Sequence, residues 1–163
     1  MLDSALKKPV NKEPRGRREF PDRPMVGVGG VVIHRGRALL IRRGREPLKG
    51  LWSIPGGLIE LGEELAAGVR RELKEETGLA VEPIQIIATF DRIFKEGRRV
   101  RYHFVIVDYV CRLRGGKLRA GSDVVDACWV RPKDLPKYHL TEMATRVVRE
   151  AFRLFRGRAK LQI

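Results

Sequence analysis

The sequence predicts an α/β fold, an α/β/α sandwich built on a central mixed β-sheet. Three observations lead there. Apolar, strand-like segments dominate the chain. A single helical stripe interrupts them in the middle, and a second amphipathic helix closes the chain. There is no internal repeat and no sign of a second domain, and 163 residues suit one domain with a sizeable core.

Residues 1–23 are polar, basic and proline-containing (Pro9, Pro14, Pro21), and read as a loose N-terminal arm. Residues 24–157 form the domain, and 158–163 a short tail. "MVGVGGVVIHRGRALLIRRG" reads as two strands, 26–33 and 38–42, joined by a turn at His34-Arg35-Gly36-Arg37. Its "GVGG" is a poor phosphate loop, because no helix follows. Glycine in a strand beside a ligand or another backbone is the better account. "EPLKGLWSIPGG" is a loop holding a short strand. Leu65, Val69 and Leu73 then recur every four residues, with Ala66 alongside, as the apolar stripe of a helix. Thr77-Gly78 ends it, with Gly78 placed for a left-handed cap.

Residues 79–90 read as a strand interrupted near Pro83, and "DRIFKEGRR" as a loop. "VRYHFVIVDYVC" is a long strand, "RLRGGKLRAGSD" a glycine turn with a short strand, and "VDACWVRP" a further strand. "TEMATRVVREAFRLFRG" is the closing helix, with Thr141 as its cap and Met143, Val147, Phe152 and Phe155 on its buried side. Trp52 and Trp129 are read as core residues.

Lys and Arg number 34 against 20 Asp and Glu, a net charge of +14. The basic residues are dispersed and no aromatic-basic RNA-binding signature accompanies them, so a nucleic-acid role is not the reading; a phosphate-bearing small substrate suits the charge. No apolar run approaches the ~18 residues that span a bilayer, so no membrane association is expected. The N-terminus lacks the apolar core of a signal peptide, which leaves a cytoplasmic location as the expectation. Cys111 and Cys128, in apolar strand-like surroundings, read as buried free thiols.

Against this basic background, "GGLIELGEELAAGVRRELKEETGL" concentrates acid. At 100° per residue, Glu76 lies about 40° and Glu75 about −60° from Glu72, so the three share an arc of roughly 100° beside the apolar stripe. They repel one another, and they sit in the last turns, where the helix dipole disfavours negative charge. Local rules broken together in this way tend to mark a functional site. Converging carboxylates suit a hard divalent cation, Mg²⁺ or Mn²⁺, and magnesium in turn suits phosphate oxygens. Gly68, one turn before Glu72, costs about 1 kcal/mol against alanine inside a helix, which suggests a close approach there. The alternative is a solvated acidic face paired with Arg70, Arg71 and Lys74.

The run Gly57, Glu63, Arg71-Glu72-Leu73, Glu75-Glu76, Gly78-Leu79 has the spacing of the Nudix box, G-x5-E-x7-R-E-U-x-E-E-x-G-U, in which U is a bulky aliphatic residue. The chain therefore resembles the Nudix hydrolases, over roughly residues 25–155, with "LWSIPGG" and "DACWV" also similar. The resemblance implies a loop–helix–loop on an α/β/α sandwich and Mg²⁺- or Mn²⁺-dependent hydrolysis of a nucleoside diphosphate linked to a group X. It implies that Glu72, Glu75 and Glu76 are metal ligands. Glu63 would support the loop, with a water-mediated metal contact. Arg71 would orient the carboxylates, and Gly57 and Gly78 would permit the turns. A base could come from the box or from a later acid, and Asp123 is preferred over Asp126; both also suit turn and strand-start positions.

Substrate choice lies outside the box. Arg42 and Arg43 are candidates for gripping phosphates, and Phe90, Arg92 and His103 for holding a base or terminal ribose. The chain lacks the coenzyme A-type and NADH pyrophosphatase-type motifs. It also lacks the downstream proline of many ADP-ribose pyrophosphatases and the tyrosine of dinucleoside tetraphosphate hydrolases. Its overall text still resembles short proteins grouped with ADP-ribose pyrophosphatases, so cleavage of ADP-ribose to AMP and ribose 5-phosphate is the expectation. The alternatives are oxidised nucleoside triphosphates such as 8-oxo-dGTP, then RNA 5′ ends, then a non-catalytic nucleotide sensor. Degenerate relatives lose box glutamates, and all are present here. The long arm is compatible with a homodimer.

Overall fold

The computed structural model describes residues 18–121 and 123–160, with side chains to residue 156. Residues 1–17 of the arm assigned to 1–23, and residues 161–163 of the tail assigned to 158–163, lie outside the described residues.

The chain begins with a hairpin of β1 (Met25–His34) and β2 (Arg37–Arg43). Its turn is two residues, Arg35 and Gly36, at φ 49° and 70°. Two successive left-handed residues match the twist of flanking strands, which is why glycine serves here. Short strands β3 (Trp52–Ser53) and β4 (Gly56–Leu58) follow, then helix α1 (Leu65–Thr77). Two 18-residue strands, β5 (Leu79–Glu96) and β6 (Arg99–Gly116), form a long hairpin. Strand β7 (Val124–Val130), a 3₁₀ turn (Pro132–Lys137) and helix α2 (Glu142–Lys160) complete the fold. The strand order is β3-β2-β1-β6-β5, with β4 on β1 and β7 on β2. Only β1 and β6 run parallel; the other pairs are antiparallel, so the sheet is mixed as expected.

Strand alternation sorts side chains into two cores. Val28, Val32, Leu39, Val107 and Cys111 pack with Val69 and Leu73 of α1. Val31, Ala38, Leu40 and Val110 pack with Val147, Val148, Ala151 and Phe152 of α2. The helices thus cover opposite faces, which is the α/β/α sandwich. Each fully buried Val or Leu contributes about 1.5–3 kcal/mol relative to exposure. Thr141 caps α2 through the Ala144 N–H at 3.3 Å. Met143 and Phe155 are only half-buried on that helix. Trp52 packs edge-on against Tyr138 at 5.0 Å, and Trp129 lies partly buried on the α1 side. Both cysteines are free, and burial pushes the Cys111 thiol up to about 12.

Two sequence expectations fail. Residues 91–96 are not a loop: β5 continues to Glu96 and turns at Gly97 (φ 59°). Cross-strand packing decides this, since Ile93 pairs with His103 and the Phe94 ring meets Tyr102 edge-on. The described residues of 112–123 hold no separate strand either. Residues 112–116 prolong β6 opposite β5, and the stretch from Lys117 to Gly121 caps α1 instead. There the Arg119 and Gly121 amides donate to the carbonyls of Thr77 and Glu76, at 3.0 and 2.8 Å. Helix-end carbonyls without partners would otherwise be costly.

The last residues of the arm are not loose. The Phe20 N–H donates to the Arg101 carbonyl at 2.8 Å, and the Glu19 carboxylate accepts from Arg101 at 3.1 Å and from the Tyr102 hydroxyl. The Arg99 guanidinium lies 4.0 Å from the Phe20 ring. The hydroxyl and guanidinium hold the Glu19 carboxyl below its usual range.

Candidate active site

The loop before α1 is held by one arginine. Arg71 sends Nε to Glu63 Oε1 (2.7 Å), Nη2 to Glu63 Oε2 (2.8 Å) and to the Leu58 carbonyl (3.0 Å), and Nη1 to Glu72 (2.8 Å). This bidentate pairing takes up both Glu63 oxygens, and the Glu60 N–H adds a further donor at 3.0 Å. The Glu63 carboxyl falls to about 2, chiefly through the Arg71 hydrogen bonds. Gly68 is where this loop lies on the helix: a Cβ there would overlap Ile59 and come within 3.1 Å of Glu63. The close approach expected at Gly68 is therefore made by the protein's own loop.

The glycines of β4 set Glu72 and Glu76. Gly57 has no left-handed backbone to require glycine. Contrary to the turn role expected for it, its missing Cβ leaves the space that the Glu72 carboxylate fills. Gly78 does take the left-handed conformation, φ 73°, and its N–H caps the Lys74 carbonyl at 3.0 Å. The Gly56 N–H donates to Glu76 Oε2 at 2.9 Å. Glu76 is half-buried, with Arg43 as the one cation that offsets its charge. Burial pushes its carboxyl up to about 8, against the Gly56 N–H, and Glu72 and Asp123 add repulsion. Burial likewise raises Glu72, against its bond from Arg71. Glu75 has a side chain 60% exposed, with a 3.5 Å contact to Arg71.

Two cations besides Arg71 interact with this acidic pair, Arg43 with Glu76 and Arg18 with Glu72. Arg43, at the end of β2, is lowered by burial and by Arg92, while Glu76 and Glu46 act the other way; Arg18 adds repulsion. Arg18 also acts on Glu72. Charge interactions thus link Glu72, Glu76, Arg43, Arg92 and Arg18 as one neighbourhood near β4. Phe90 joins them, because Arg92 lies 5.6 Å from its ring.

Two of the expected substrate-binding positions fall elsewhere. Arg42 is exposed, and its Nε donates to the Gly50 carbonyl at 3.1 Å. His103 pairs with Ile93, one residue out of phase with the Arg92–Phe104 and Phe90–Ile106 pairs, so it lies on the opposite face of the sheet from Phe90 and Arg92. Asp123 pairs with Arg45 at 2.5 Å, yet its charge is close enough to act on Glu76. Asp126 is exposed and accepts only from the Ala127 N–H, at 2.8 Å. Sequence reasoning missed Gly56, Arg18 and Asp108. Asp108 carried a legible signal: a lone acid inside the apolar run "FVIVDYVC".

Among the described residues, no three His, Cys, Asp or Glu side chains converge closely enough to cage a metal alone. The donor set still fits magnesium, which is held by one or two carboxylates plus substrate oxygens and water. A half-buried carboxylate with one N–H partner, beside a second half-buried carboxylate, is the environment that a cation relieves.

The NUDIX domain family model matches residues 23–153. Over 114 residues, 70% of this chain, the sequence is 34% identical to the ADP-ribose pyrophosphatase of Methanocaldococcus jannaschii, and the match spans 66% of that relative. It is 30% identical to the nucleoside triphosphatase NudI of Escherichia coli over 60% of this chain and 72% of the relative. Among solved structures, the MutT NUDIX hydrolase of Burkholderia pseudomallei superposes with a TM-score of 0.70 at 30% identity, covering 78% of this chain and 98% of that one. With the box on a loop–helix–loop and the sandwich around it, this chain belongs to the NUDIX family.

Proposed function

We propose that this chain hydrolyses the diphosphate linkage of a nucleoside diphosphate-X with a divalent cation, and that its substrate is ADP-ribose, cleaved to AMP and ribose 5-phosphate. The observation that carries the reading is the pair of half-buried carboxylates, Glu72 and Glu76, on the β4 glycines, with the Arg43 charge acting on Glu76. Glu72 and Glu76 would hold Mg²⁺ or Mn²⁺, with Glu75 reaching in from the helix surface. The bound cation would acidify an attacking water and offset charge on the phosphoryl oxygens.

The chain's own residues do the rest. Arg71 fixes Glu72 and, through Glu63, the loop that closes the site. Arg43 is pinned by Nε to the Pro47 carbonyl at 2.9 Å, which leaves its remaining N–H groups to bind phosphate oxygens. Asp123 is the proposed proton acceptor, released from Arg45 when substrate arrives. The archaeal relative's name supports ADP-ribose. The name of the Escherichia coli relative supports the second reading, a nucleoside triphosphate such as 8-oxo-dGTP cleaved to monophosphate and pyrophosphate.

The test is chromatographic product analysis with Mg²⁺ on ADP-ribose, NADH, diadenosine tetraphosphate, 8-oxo-dGTP, dGTP and GDP-mannose. AMP and ribose 5-phosphate formed well ahead of other products is the expected result. Monophosphate and pyrophosphate from a triphosphate, with ADP-ribose untouched, would replace it with the second reading.

A further inference from the structure

One face of the sheet changes character at Asp108. Behind it, Val31 and Val110 are covered by Val147, Val148 and Ala151 of α2, and Ala88, paired with Asp108, packs against the same core. Ahead of it on the same face come Gly27, Ile106 and Phe90 in one row, then Met25, Phe104 and Arg92 in the next. Asp108 stands at the edge of the helix-covered core, paired with Gly29, whose β4 partner Gly56 donates to Glu76.

Its side chain is unusual for that position. Asp108 is 4% exposed, and among the described residues no hydrogen bond reaches its carboxylate. Gly29, beside it on β1, offers no side chain, and a Cβ there would overlap Asp108 Oδ1 and stand 3.0 Å from Ile54. Arg92 is the one charge that offsets its burial, which still pushes the carboxyl up to about 7. A buried acceptor without a donor is costly, so such groups are usually satisfied by protein, water or ligand. Nothing in α1 or the Nudix box uses it.

The neighbours say what the ligand group is. Phe90 is a half-buried ring on the same face, with the Arg92 guanidinium over it. A flat apolar ring, a carboxylate acceptor and a guanidinium donor therefore lie on one floor, next to the phosphate-facing arginine. A nucleobase matches that set: it is flat, and its edge carries amino donors beside carbonyl or ring-nitrogen acceptors. We propose that this floor takes the base, with Asp108 accepting a hydrogen bond from an exocyclic amino group, so that the site selects adenine over its 6-oxo counterpart hypoxanthine. The inference deepens the nucleotide-hydrolase reading and rests on it for the placement of the phosphates.

IMP replaces the 6-amino donor of AMP with a carbonyl and carries its donor on N1 instead, and the binding of the two to the full chain by calorimetry is the test. Wild type should bind AMP about tenfold more tightly, as expected when a charged acceptor loses its donor. Asp108→Asn keeps the shape but presents an N–H, and should erase or invert the ratio; Asp108→Ser does the same job if the first variant does not fold, as judged by circular dichroism. Equal binding of AMP and IMP by wild type, no binding of either, or an unchanged ratio in a folded variant each overturns the proposal. Hydrolysis is scored separately. An AMP preference that depends on Asp108 in a protein that leaves ADP-ribose intact would keep the base site and remove the proposed reaction.

Discussion

At the residue scale, Gly57 shows why position in a motif and physical role are separate questions. The Nudix spacing marks Gly57 in the sequence, but only the packing shows that it is a space for the Glu72 carboxylate. Gly57→Ala should therefore leave the melting temperature nearly unchanged while cutting turnover about tenfold or more, because a displaced catalytic group is costly out of proportion to the shift. Steady-state kinetics with a thermal melt checks this, and full activity would contradict it. Glu72 and Glu76 were legible because their 3.6-residue period puts them together on a helix. Gly56 was not, since a backbone N–H leaves no mark in a sequence; Asp108 stood out as a lone acid in an apolar run, but no partner there says what it faces.

Asp108 also makes a pH prediction. Its carboxyl is raised to about 7 in the fold, against about 4 in an unfolded chain. Between those values the native state holds a proton that the unfolded state has lost, so this group's contribution to stability falls as pH rises from about 4 to about 7. Urea denaturation across that range should show the wild-type curve falling relative to Asp108→Asn, which cannot titrate. Parallel curves would mean that the carboxyl is not desolvated.

At the element scale, α1 and the segment after β6 are one unit. The helix was readable from the Leu65–Val69–Leu73 stripe and its Gly78 cap. The cap on its last carbonyls comes from Arg119 and Gly121, far along the chain, and local sequence rules do not reach that distance. Likewise, the charged 91–96 stretch reads as a loop until its partner strand is known, because long-range pairing overrides local propensity. Gly121 lies against the Glu75 carbonyl with no room for a Cβ. Gly121→Ala should destabilise by roughly 1–3 kcal/mol, an overpacking cost, and should lower activity by moving the end of the helix that carries Glu76. Chemical denaturation beside kinetics tests both, and an unchanged midpoint would show that the loop yields freely.

At the scale of the whole molecule, the sandwich was legible because β1 and β2 alternate between two cores and both helices carry one apolar side. The attachment of the arm was not, since Glu19 and Phe20 look like any polar-rich lead-in. Deleting residues 1–20 removes the Phe20 amide bond, worth about 1 kcal/mol. A folded domain should remain, melting about 2–4 °C lower. An unaltered melting temperature, or loss of a cooperative transition, would contradict this. None of the helices of the described residues is long and apolar enough to cross a membrane.

The central claim is that Glu72 and Glu76, set on the β4 glycines, hold the divalent cation that hydrolysis requires. Mn²⁺ titration followed by electron paramagnetic resonance, on wild type and Glu76→Gln with AMP present, tests it most directly. Gln retains the shape and can still accept the Gly56 N–H, so the fold should survive while Mn²⁺ affinity falls at least about tenfold, in line with the loss of a metal-binding group. Equal Mn²⁺ affinity in the two proteins would take the metal away from Glu76 and the account with it.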